Sequence, residues 1–123
     1  MHSPFPPVRG GSSPWGAIQS VAPLGPDVVT VTTASHGGLR VSPGALRRMP
    51  EAIQNTAYSR GGWFEEDCDW ALPYLALDLD VFEPNAPLGA QRRAAAVRTI
   101  QRFHRPFATL LGVPDGGEER SDG

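Results

Sequence analysis

Lysine is missing from this chain: all eleven basic residues are arginine, a bias that carries no function by itself. Cysteine is nearly missing too. Cys68 stands alone, which excludes an internal disulfide framework and suits a reducing cytoplasm. No apolar run approaches the ~20 residues that cross a bilayer, and no basic-then-apolar leader opens the chain, so a cytoplasmic protein without a secretory signal is expected. Neither a Walker loop nor Gly-x-Gly-x-x-Gly occurs, and there is no EF-hand or His-Glu-x-x-His spacing, so no cofactor and no metal is expected. A basic surplus is also lacking. The net charge of −2 argues against a generic nucleic-acid binder.

What is present fits one small domain. The 123 residues leave little room for a second core. Residues 1–13 and 114–123 are rich in Pro, Gly, Ser and charge and are expected to be disordered. Residues 14–113 are expected to form a single α+β domain, an antiparallel hairpin or three-stranded sheet packed against three to five helices.

Alternation predicts a strand from Trp15 to about Ala22. A turn at Pro23–Asp27 leads into a β-branched strand, Val28–Thr33, with Val29 and Val31 on one face. His36-Gly37-Gly38 breaks that strand, and Leu39–Val41 resumes it. Ser42-Pro43 reads as N-cap and first helical residue of a helix ending near Met49. A second short helix runs from Pro50 to about Ala57, with Met49 and Ile53 facing inward, and Arg60-Gly61-Gly62 is a loop. From Glu65 a helix is expected, with Cys68, Leu72, Leu75 and Leu79 as its inward stripe and Glu65, Glu66 and Asp67 in its first turn. Pro73 kinks it or starts a new one. Pro84 and Pro87 mark a loop. Gly89 to about Phe103 is then helical, with Val97, Ile100, Phe103, Phe107 and Leu110 or Leu111 as its buried edge, bent or split at Arg105-Pro106.

Charge is segregated. Seven of the thirteen acids lie between Glu65 and Glu83, whereas Pro84–Val113 holds Arg92, Arg93, Arg98, Arg102 and Arg105 and no acid. Either these segments neutralise each other or they present a two-signed surface to a partner.

Two clusters carry the candidate chemistry, Ser35-His36-Gly37-Gly38 and Trp63-Phe64-Glu65-Glu66-Asp67-Cys68-Asp69-Trp70. His36 in a glycine-permitted turn suits a base, a ligand or a hydrogen-bond anchor. Cys68 with His36, and Asp67 or Asp69 to orient the imidazole, has the residue types of a nucleophile–base pair. The carboxylates beside Cys68 oppose its ionisation, and its place on the apolar stripe predicts a core residue. Glu65, four residues before Asp69, would share a helix face with it and hold a positive group between them. That group is a hard cation or one of Arg40, Arg47, Arg48 and Arg60. Arg98, Arg102 and Arg105 fall on one face of the last helix, able to grip anions or to pair with acids.

Thr33-Ala34-Ser35-His36-Gly37-Gly38, then Val41-Ser42, then Gly62-Trp63-Phe64-Glu65-Glu66-Asp67-Cys68-Asp69-Trp70-Ala71, together resemble a small uncharacterised domain of plasmids, phages and other bacterial mobile elements. The resemblance spans roughly Trp15 to Leu79. It implies a context, and through it a small binding protein, including an inhibitor of host defence of the anti-CRISPR kind.

The expectation is therefore a non-catalytic protein binding a host or phage protein, such as a nucleic-acid-handling complex. Ser35, His36, Trp63, Glu65, Glu66, Asp67 and Asp69 would form its acidic and aromatic surface. The alternative is a small hydrolase or metal-dependent enzyme using His36 with Asp67, Cys68 or Asp69. Direct nucleic-acid binding through Arg92–Arg105 ranks last.

Overall fold

The computed structural model describes residues 5–56, 58–59 and 61–114. Its centre is a four-stranded antiparallel sheet in sequential order: β3 (Ser20–Gly25), β4 (Val28–Thr32), β5 (Gly37–Val41) and β6 (Trp63–Glu65). Two short strands precede it and pair with each other, β1 (Ser12–Ser13) and β2 (Gly16–Ala17). Four α-helices are present among the described residues: α1 (Pro43–Arg48), α2 (Glu51–Gln54), α3 (Ala71–Ala76) and α4 (Ala86–Phe103). The fold is the expected small α+β arrangement.

The sheet's two faces carry separate clusters, because side chains alternate along each strand. On one face Val28 lies opposite Val41, and Thr30, Leu39 and Phe64 form a row across three strands. This face meets the helices and builds the main core with Met49, Ile53, Leu72, Leu75 and Ile100. On the other face Val29, Arg40 and Trp63 form the matching row, and Val31 packs there with Ile18. Phe5 and Trp15 close over it, Trp15 meeting Trp63 edge-on at 5.6 Å. Residues 5–13, expected to be disordered, thus supply Phe5 to the second cluster and Ser12–Ser13 to a strand pair. The expected tail from 115 onward lies outside the described residues.

The single strand expected from Trp15 to about Ala22 is instead divided between β2 and the start of β3. Helix α1 is capped as its sequence predicts: the Ser42 hydroxyl accepts from the Ala45 N–H at 3.0 Å, with Pro43 opening the helix. Met49 and Ile53 are buried, as expected.

The largest departure lies at Gly62–Trp70. No helix begins at Glu65. Trp63–Glu65 is a strand, because two aromatic residues side by side serve the sheet's two faces, Phe64 inward beside Leu39 and Trp63 outward beside Arg40. A turn follows, with the Trp70 N–H donating to the Glu65 carbonyl at 2.9 Å, and α3 starts only at Ala71. Pro73 then falls in the first helical turn, where its missing N–H has no intrahelical acceptor to lose. The stripe survives for Leu72, Leu75 and Leu79, which are buried, but Cys68 sits in the turn and is only half-buried.

Helix α4 begins earlier than expected, at Ala86. The Asn85 side-chain oxygen accepts from the Leu88 N–H at 2.8 Å, and Pro87 occupies the first turn rather than a loop. The helix stops at Phe103, before Arg105-Pro106, and two 3-10 turns follow, Arg105–Phe107 and Thr109–Leu111. Its buried edge is Gly89, Ala96 and Ile100. Val97, Phe107 and, of the two leucines offered, Leu111 pack against the core as expected, but Phe103 is 56% exposed and Leu110 51%.

Candidate functional site

The loop between β4 and β5 is clamped by Thr33. Its N–H and hydroxyl both donate to the His36 carbonyl, at 2.8 and 2.7 Å, and its hydroxyl accepts from the His36 N–H at 3.1 Å. Ser35 and His36 are therefore held at the surface by their backbone. The glycines beyond them serve packing. A Cβ on Gly38 would overlap the Phe64 carbonyl oxygen and crowd the Trp15 ring, so glycine lets β6 and Trp15 close on the sheet.

His36 Nδ1 lies 3.4 Å from a Glu65 carboxylate oxygen, and Asp67 completes a group whose ligand atoms lie within 4.8 Å of one another. Glu66 points to the other side of β6, along the helical face of the sheet. There a cleft of about 550 Å³ opens between the sheet and α4. Leu24, Leu39 and Trp70 form its apolar walls, and Glu66, Tyr74, Glu83 and Arg92 bring polar groups into it. The Trp70 ring meets Tyr74 edge-on at 5.4 Å.

The cleft contains a buried carboxylate. The Glu83 side chain is 2% exposed; it accepts from the Tyr74 hydroxyl at 2.7 Å and from Arg92 at 3.1 and 3.3 Å. Burial first, and then the adjacent carboxylate, push the Tyr74 hydroxyl well above the ordinary tyrosine range. Arg93 bridges Asp78 and Asp80 at 3.2 and 3.1 Å. The arginine block and the distal half of the acidic block therefore neutralise each other. Among the described residues no arginine pairs with Glu66 or Asp67.

Cys68 and Asp69 belong elsewhere. The Asp69 carboxylate accepts from His104 Nε2 at 3.0 Å, and the Cys68 thiol lies 3.8 Å from the same carboxylate oxygen. Burial, then Asp69 and Asp67, raise the thiol pKa, so the sulfur favours its neutral form. His104 is 2% exposed, with the Tyr58 ring edge-on at 4.7 Å.

The proposed members are thus split into two groups. His36 gathers with Glu65 and Asp67, while Cys68 and Asp69 gather with His104. Glu65 and Asp69 share no helix face, because no helix exists there, and each meets a histidine instead of an arginine. Arg40 is not their partner. It is buried on the sheet's outer face, donating to the Val41 and Gly61 carbonyls at 2.6 and 3.1 Å beneath Trp63 and Phe5. Gly62 makes room for it, since any Cβ there would strike the guanidinium. Arg48 pairs with Asp27, and Arg60 lies outside the described residues. Arg98 and Arg102 are exposed on α4, but Arg105 falls beyond its end and shares no helix face with them. The expected aromatic surface shrinks as well: Trp63 and Phe64 are buried, leaving half-buried Trp70 in the cleft wall.

Sequence left Tyr58 and Tyr74 unnoticed, and also His104. Its signal was modest: a polar residue beside a helix-ending Arg-Pro, between phenylalanines at 103 and 107.

No curated protein and no solved structure matches the chain. Residues 8–112 match a family model described as a domain of unknown function, and the chain belongs to that family, DUF7007.

Proposed function

We propose that this domain is a non-catalytic binding protein that takes a basic segment of a partner protein into the cleft between the sheet and α4. The observation carrying this is the contrast in charge pairing. The acids toward the C-terminal end of the acidic block are met by Arg92 and Arg93, while among the described residues no arginine meets Glu66 on the cleft or its neighbour Asp67. An apolar wall with an unneutralised acidic rim fits a side chain that is apolar along its stem and cationic at its tip. Trp70 supplies the aromatic surface such a cation favours. Ser35 and His36, on the β4–β5 loop, and Glu65, on the opposite side of β6 from Glu66, lie outside this cleft.

The motif resemblance adds the setting. In a plasmid or phage the partner is a host protein, and an acidic rim that imitates a phosphate backbone suits one that handles nucleic acid; an anti-CRISPR-type inhibitor is one such protein. A hydrolase built on His36, Cys68 and Asp69 lacks this support, because those side chains gather in two separate groups and the thiol favours its neutral form.

The test is an amide-shift titration with an arginine-rich peptide containing aromatic residues. Shifts should cluster at Leu24, Leu39, Glu66 and Trp70, weaken with rising salt as the rim is screened, and vanish in Glu66→Arg. Shifts confined to other surfaces, or a complex indifferent to salt, would overturn the proposal.

A further inference from the structure

Cys68, Asp69 and His104 bring one thiol, one carboxylate and one imidazole together from two segments 35 residues apart. Their ligand atoms all lie within 4.8 Å of one another, with Asp69 Oδ1 at 3.0 Å from His104 Nε2 and 3.8 Å from Cys68 Sγ. In a tetrahedral zinc site, bond lengths of about 2.0–2.3 Å put neighbouring O and N ligands about 3.4 Å apart and neighbouring O and S ligands about 3.6 Å apart. Two of the separations here fall within half an ångström of those values, so small side-chain movements would admit the ion.

The imidazole is the best-fixed of the three. His104 closes α4, its backbone N–H donating to the Ile100 carbonyl at 2.9 Å, and its ring neighbours those of Tyr58 and Phe107, at 4.7 and 6.2 Å between centres. The exposed trio of His36, Glu65 and Asp67 has no such support and no soft donor, with its imidazole half-exposed.

We infer that Cys68, Asp69 and His104 form a three-residue site for zinc or a similar borderline-soft divalent cation, with water as the fourth ligand. Sulfur, nitrogen and carboxylate oxygen in one set select such ions over magnesium or calcium. The acids that disfavour a bare thiolate, Asp67 and Asp69, create the negative potential that favours a dication. On binding, the Cys68 thiol loses its proton to solvent and the sulfur–metal bond takes its place. This inference stands apart from the cleft: the two sites share no residue.

The experiment is a titration of the chelator-treated 123-residue chain with cobalt(II), followed by absorption, then back-titration with zinc(II). A single equivalent should produce a thiolate-to-cobalt charge-transfer band and tetrahedral d–d bands, both erased by zinc. Cys68→Ser, at a half-buried turn position, should keep its far-ultraviolet circular dichroism and lose the charge-transfer band. His104→Gln should weaken cobalt binding about tenfold or more. His36→Ala should leave the spectrum unchanged. No charge-transfer band in the parent chain, or a band that persists in Cys68→Ser, overturns the inference. So does a spectrum abolished by His36→Ala.

Discussion

Removing one oxygen atom from Tyr74 tests how the cleft is held. Tyr74→Phe keeps the ring and its contact with Trp70, and deletes the donor 2.7 Å from Glu83. The Glu83 side chain is 2% exposed, so water has little access to replace that donor. A hydrogen bond to a buried charged group contributes about 1.5–3 kcal/mol, and Arg92 still holds the carboxylate from its half-exposed position. A loss of about 2 kcal/mol is expected. For a domain this size that lowers Tm by roughly 10 °C. In a Glu83→Gln background the bond becomes neutral, and the same substitution should cost only about 1 kcal/mol. Urea unfolding of the four proteins of this cycle, followed by circular dichroism at pH 7, measures both terms. A Tyr74→Phe protein within about 0.5 kcal/mol of the parent, the scale of an ordinary surface change, would refute the reasoning.

The raised hydroxyl of Tyr74 gives a second expectation. In Tyr58→Phe, where Tyr74 is the only tyrosine, ultraviolet titration should show ionisation later than in the urea-unfolded chain; a raised folded pKa means the associated stability is present below about pH 10 and is lost as the pH climbs beyond it. Coincident folded and unfolded curves would contradict it. Cys68 should react with a thiol reagent at pH 7.5 more slowly folded than unfolded, with the rise in rate moved to higher pH, and equal rates would remove the physical case for a suppressed thiolate. Gly38→Ala should destabilise by more than about 2 kcal/mol, because the obstacle is the backbone of Phe64. Gly61→Ala, with open space but a φ of +70°, should cost about 1 kcal/mol; comparable denaturation midpoints for the two would show that β6 can yield.

What the sequence alone determined was whatever local chemistry governs. The β-branched run from Val28, the Ser42-Pro43 helix start and the stop before Arg105-Pro106 all follow from backbone preferences that neighbours in the chain impose, and each lies where expected. The α+β class followed from the same signals. Tertiary structure decided the segment from Trp63 to Trp70. Three residues are too few for strand alternation to declare itself against an acidic run that resembles a helix start, and only the exposed edge of β5, with pockets for Trp63 and Phe64 on opposite faces, makes that segment a strand. The candidate site divides for the same reason. Once the backbone turns at Glu66–Trp70 instead of coiling, Glu65 is left beside His36 while Asp69 swings to His104, a partner 35 positions away that no local pattern could nominate. Proximity between distant side chains depends on the path of the chain through the core, and that path is set by long-range burial rather than by any short stretch of sequence.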